Sequence, residues 1–157
     1  MEFPERIYTV EEVKRARELI NKGFKHDLKV IGGKEFKQKV EKAILLIKEI
    51  NRYDFLRTYI RRIVEVDGFS QLREAEAAIW MNKYMVEEPV NAASFIIQKV
   101  WQMKNFIEGK INYGTEETRL VRKRIEFLEK LREESKDEAV RKKCNEILKQ
   151  WEESSFL

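Results

Sequence analysis

A chain of 157 residues has the size of one domain, long enough to bury a core without disulfide or metal staples. Its 32 Lys and Arg against 28 Asp and Glu leave a net charge of only +4, a weak lean compared with the clustered stripe that electrostatic nucleic-acid binding requires. One cysteine and one histidine exclude an internal disulfide and a multi-cysteine metal site, and nothing argues for secretion.

Charged residues reach 38%, against about 25% in an average globular chain. The excess is Lys, Arg and Glu, a composition like that of thermophile proteins with surface ion-pair networks. The opening MEFPERIYTV has no apolar h-region, and no stretch approaches the ~18 apolar residues of a membrane span. A cytoplasmic location is expected, with no membrane contact.

Thr9 and Glu12 form a capping box ahead of a first helical face made by Val10, Val13, Ala16, Leu19 and Ile20. Asn21 to Gly23 closes it. Leu28 to Ile31 reads as a short extended segment or loop before Gly32-Gly33. A second helix is expected from Lys34 to Asn51, with Phe36, Val40, Ala43, Ile44, Ile47 and Ile50 inward. A third is expected from Tyr53 to Val66, ended by Asp67-Gly68. Phe69 to Glu88 is ambiguous, because Ala77 to Met81 fits a strand or a continued helix equally well. Pro89 suits the first position of a fourth helix running to Glu108, with Gly109 as its stop. Gly114-Thr115 opens a fifth, whose Glu116 and Glu117 complement its positive end. Ser135 and Glu138 read as a second capping box, for a final helix carrying Val140, Cys144, Ile147, Leu148 and Trp151. From Glu152 the tail frays or packs Phe156 locally.

These elements predict a mostly α single compact domain of five to six helices. A short two- to three-stranded sheet around Leu28–Ile31 and Ala77–Met81 would make it α+β. Residues 1–30 form an N-terminal helix and loop, 31–151 the core, and 152–157 a C-terminal tail.

Few patterns carry chemistry. Gly32-Gly33-Lys34 lacks the spacing of a phosphate-binding loop. His26 lies in a loop with no nucleophile candidate near it, and Cys144 sits on an apolar helical face, so a catalytic thiol lacks its base. Two basic clusters stand out: Arg57, Arg61 and Arg62 on the third helix, and Arg119, Arg122, Lys123 and Arg124 on the fifth. They are either a phosphate-holding patch or, more simply, the solvated sides of amphipathic helices.

The fourth helix differs, because Gln98 and Gln102, one turn apart, share a face with Ile97, Val100 and Trp101. Uncharged polar residues are not expected there by pattern alone. The stretch Ala92-Ala93-Ser94-Phe95-Ile96-Ile97-Gln98-Lys99-Val100-Trp101-Gln102 resembles the zinc helix of the zincin metalloproteases, H-E-x-x-H after an Ala-Ser-apolar run. In that family two histidines bind zinc and the glutamate is the general base. By this resemblance Gln98 and Gln102 stand at the histidine positions and Lys99 at the base. Ala78 to Asn82 would be the edge strand before the helix, and Glu117 the third, carboxylate ligand. The resemblance covers about residues 30–135. It departs from the pattern at both histidines and at the base, so it implies a pseudo-enzyme without metal or cofactor.

The function expected on this basis is that of a catalytically inactive zincin-like domain holding a peptide or protein. Gln98, Lys99, Trp101, Gln102 and Glu117 would line the former metal site, with a Lys99–Glu117 ion pair in place of zinc. The alternative is a helical scaffold or weakly nucleic-acid-associated protein using the basic helix faces; self-association is compatible with either. A simpler reading makes the fourth helix an ordinary buried one with two polar residues at its edge. A strand at 77–81, packed beside the Pro89 helix, favours the zincin resemblance; a helix there favours the scaffold.

Overall fold

The computed structural model describes residues 2–110 and 114–154. In chain order it contains α1 (Val10–Asn21), β1 (Lys29–Ile31), α2 (Lys34–Glu49), α3 (Tyr53–Tyr59), β2 (Arg62–Glu65), β3 (Gln71–Arg73), a 3-10 turn (Glu74–Glu76), β4 (Ala78–Met81), α4 (Pro89–Glu108), α5 (Glu116–Glu134) and α6 (Glu138–Glu153).

The Thr9–Glu12 capping box forms in both directions. Gly23 follows α1 in a left-handed conformation, φ 94°, which glycine adopts without steric cost. In α2 the expected inward residues are all buried, joined by Leu46. The Pro89 helix has the expected bounds: the Glu88 carboxylate accepts from Val90 N–H and Asn91 N–H at 3.0 and 2.8 Å, and Gly109 closes it at φ 69°.

Three expectations are corrected. The third helix stops at Tyr59 instead of reaching Val66, and Arg62–Glu65 is a strand. Ile60, Ile63, Val64 and Val66 are β-branched, and two neighbouring strands supply a ladder that outweighs the helical spacing. The sheet therefore has four strands rather than two or three, in the order β1-β2-β4-β3. The cap of α6 is Asp137, whose side chain accepts from Ala139 N–H at 2.9 Å; Ser135 instead ends α5 and accepts from Asp137 N–H. Residues 155–157, with Phe156, lie outside the described residues.

Strands β1, β2 and β4 are parallel, and β3 runs antiparallel to β4 at the sheet's edge. The register aligns Val30, Ile63, Ile79 and Leu72, which share one face by strand alternation. These residues join Val40, Ile47, Ile96 and Val100 in the core, with Val30 at its border. Helices α2 and α4 thus cover that face; α5 and α6 build outward from α4. The N-terminal segment is sewn in as well: Ile7 is 1% exposed, and its N–H donates to Ala75 O at 2.8 Å. No helix among the described residues is long and apolar enough to cross a membrane.

Candidate functional site

The stretch that was ambiguous in sequence frames the site. Strand β3 leads into the 3-10 turn, Ala77 reverses the chain at φ 52°, and β4 returns beside β2. Asn82 ends β4: its Oδ1 accepts from Tyr84 N–H and Met85 N–H at 3.1 and 2.9 Å. The chain then enters α4. The turn thereby sets Glu74 against the middle of α4.

There Lys99 Nζ donates to Gln102 Oε1 at 3.2 Å, and Gln102 Nε2 donates to Glu74 Oε1 at 3.4 Å. The ammonium also lies 5.1 Å from the Phe95 ring centre, within cation–π range. Burial holds the Lys99 pKa below its usual value, with Arg124 pushing the same way and Glu116, Glu74 and Glu117 opposing. Burial raises the Glu74 pKa, helped by Glu116 and opposed by Gln102 and Lys99. The result is a half-buried lysine in a field of carboxylates, linked to one of them through a glutamine.

Glu117 does not fill the role assigned to it. It is exposed, and it forms no ion pair or hydrogen bond among the described residues. Its charge reaches Lys99 only behind those of Glu116 and Glu74. On a helix one residue is a rotation of about 100°, so Glu116, half-buried, faces inward where Glu117 turns to solvent. Glu74 was missed because its stretch has no periodicity to place it. Gln98 is half-buried and makes no side-chain hydrogen bond among the described residues. Trp101 turns away from Lys99 and Gln102: its ring lies 4.9 Å from Phe55, with Lys123 Nζ 4.2 Å over it. It lines a 140 Å³ recess with Asn105, Glu116, Arg119 and Leu120.

The basic clusters come apart. Arg57 Nε donates to His26 O at 2.9 Å, and Arg61 donates to the carbonyls of Glu5 and Pro4; these two guanidinium groups clamp backbone. Arg62 belongs to β2, where its Nε is buried without a hydrogen-bond partner. On α5, Arg119 and Arg122 are exposed, Lys123 pairs with Glu126 at 3.4 Å, and Arg124 turns inward. Arg124 is 8% exposed. Its Nε donates to Ser94 Oγ at 2.8 Å and its Nη2 to Asn91 Oδ1 at 2.7 Å. Burial lowers its pKa to about 10.

His26 is a packing residue, 4% exposed and edge-on to Phe3 and Phe24 at 4.5 and 4.9 Å. Burial, then Arg61 and Arg57, hold its pKa down to about 4. Cys144 is buried, and burial first pushes its thiol up to about 11. Neither is a reactive group. Among the described residues, no three His, Cys, Asp or Glu side chains come together as a metal site.

A second concavity of 540 Å³ lies at the carboxyl ends of the parallel strands, lined by Glu35, Phe36, Lys39, Glu65, Lys83, Tyr84, Val86 and Glu87. Open α/β sheets bind phosphates at this place. Here the position is filled from within: Gly33 N–H, at the start of α2, donates to Glu65 Oε1 at 2.9 Å, and Lys39 pairs with Glu35 and Glu87. The chain matches no family model, no curated protein and no solved structure.

Proposed function

We propose that the chain is a catalytically inactive, zincin-like domain that holds an extended peptide along β3, over the Glu74–Gln102–Lys99 network. The observation that carries this reading is the antiparallel edge strand β3. It packs on α4, and the turn that follows it supplies the carboxylate bonded to Gln102. An edge strand offers unpaired backbone groups to which an extended segment adds. The polar residues of α4 would then meet the peptide's own carbonyls and side chains. Residues 78–81 form a strand ahead of α4, but an interior one, paired with β2 and β3, so the edge position that the resemblance gives to this stretch belongs to β3. Glu117, the carboxylate that the resemblance assigns, is exposed, which weighs against the resemblance; half-buried Glu116 is the α5 carboxylate whose charge acts most on Lys99. With Gln98 and Gln102 at the histidine positions and Lys99 at the position of the base, the reading assigns binding and no bond cleavage.

The test is selection of displayed random peptides on the immobilised chain, followed by hydrogen exchange of the complex. The expected result is protection of the amides of Gln71–Arg73, with at least tenfold weaker binding by Lys99→Ala/Gln102→Ala. Protection confined to other elements, or affinity unchanged in that variant, would overturn the reading.

A further inference from the structure

The sheet has a second face, away from α2 and α4, and its composition is unlike that of the rest of the surface. By strand alternation and register, one row across it is Lys29, Arg62, Ala78 and Arg73, and the next is Ile31, Val64, Trp80 and Gln71. None of these eight outward positions is acidic, although Asp and Glu number 28 in the chain. Most of the face is accessible: Ile31 is 45% exposed, Lys29 and Arg73 are exposed, and Val64, Trp80, Gln71 and Arg62 are half-buried, while Ala78, between Arg62 and Arg73, is buried. Arg73 lies 4.2 Å from the Trp80 ring centre. Beyond Trp80, Asn82 holds the β2–β3 turn through Ser70 Oγ and Gly68 O, and there Phe69 stands 86% exposed.

We propose that this open sheet face binds single-stranded nucleic acid. Charge and stacking would act together here, independently of the peptide reading, which uses β3's edge and the other face. Three cations in one row track a phosphate backbone. Beside them a guanidinium backed by an indole, and a free phenyl ring at the rim, offer platforms for two bases. Arg62 is half-buried and has no ion pair among the described residues, so its charge is not neutralised by a neighbouring carboxylate. The existing pairs of the row, Lys29 with Asp27 and Arg73 with Glu76, are both 3.7 Å long with substantially exposed partners, and phosphate displaces such pairs at little cost. An open sheet face accepts splayed bases, whereas a duplex hides its bases from it. The sequence alone conceals this face, since Lys29, Arg62, Arg73 and Trp80 come from four strands, two of them unexpected.

Fluorescence anisotropy with labelled 20-nucleotide oligo(U) and oligo(dT) tests it, with a 20-base-pair duplex as comparison. Three phosphate contacts predict a slope of log K against log salt near −2 for the single strands. Lys29→Glu/Arg73→Glu should weaken binding at least tenfold and flatten the slope. Trp80→Thr should weaken it about tenfold with the slope retained, and Arg122→Glu on α5 less than twofold. Both altered rows are accessible, and circular dichroism confirms that each variant is folded. The proposal is overturned by preference for the duplex, by equal loss in Arg122→Glu, by absence of single-strand binding at low salt, or by a sheet-face dimer that Trp80→Thr dissolves.

Discussion

His26 shows how a side chain usually read as chemical becomes structural. Held neutral between two phenyl rings, it has a folded pKa of about 4, below its ordinary value of 6.5. The unfolded chain therefore binds the extra proton first, and stability falls as pH drops from about 6.5 to 4. Over that window the loss amounts to about 3 kcal/mol. Urea denaturation at pH 7.5 and 4.5 should show it, and His26→Phe should remove most of the difference. Arg124 makes a second case. Ser94→Ala would leave its Nε buried and unpaired, at a cost of about 1–3 kcal/mol. In Arg124→Met the charge goes too, so adding Ser94→Ala to that variant should cost clearly less than it does alone. Equal effects of Ser94→Ala in both backgrounds, measured by chemical denaturation, would contradict the contact.

At the level of elements, the turn between β1 and α2 is a tight joint. A Cβ on Gly32 would lie 2.7 Å from Phe36 Cδ2 and 2.8 Å from Glu65 Cβ, whereas one on Gly68 meets nothing within 4 Å. Gly32→Ala should destabilise by about 1–3 kcal/mol, as overpacking does, and Gly68→Ala by far less; thermal unfolding distinguishes them. The longer helices were legible because each shows its apolar face, whereas α3, seven residues long, was not bounded by its pattern. α2 follows its expected face closely, and the ends of α4 are set by Pro89 and Gly109. Strand β2 was not legible, since Arg61-Arg62-Ile63-Val64 carries on the spacing of α3 and only its partners, β1 and β4, make it extended. For the same reason Arg57, Arg61 and Arg62 looked like one helical patch. The polar pair on α4 could be picked out by pattern, but Glu74 could not, because its place depends on a turn only three residues long.

At the scale of the molecule, one small sheet divides the surface into two different environments. Its inner face and antiparallel edge meet α4, where Lys99, Gln102 and Glu74 form a connected polar network beside Glu116. Its outer face is cationic and partly apolar. The resemblance to an emptied zinc site makes a demand that ordinary helix packing does not: restoring three side chains should restore a metal site. Histidines at 98 and 102 would share a helical face, and removing the Lys99 charge would free Glu74 and Glu116 as carboxylate ligands. Zinc content after dialysis of the folded variant Gln98→His/Lys99→Glu/Gln102→His, alongside Gln98→His/Gln102→His, is the most direct measurement. About one zinc per chain in the triple variant, reduced by adding Glu74→Gln or Glu116→Gln, is the predicted result. Folded variants that retain no zinc would contradict the zincin-like reading.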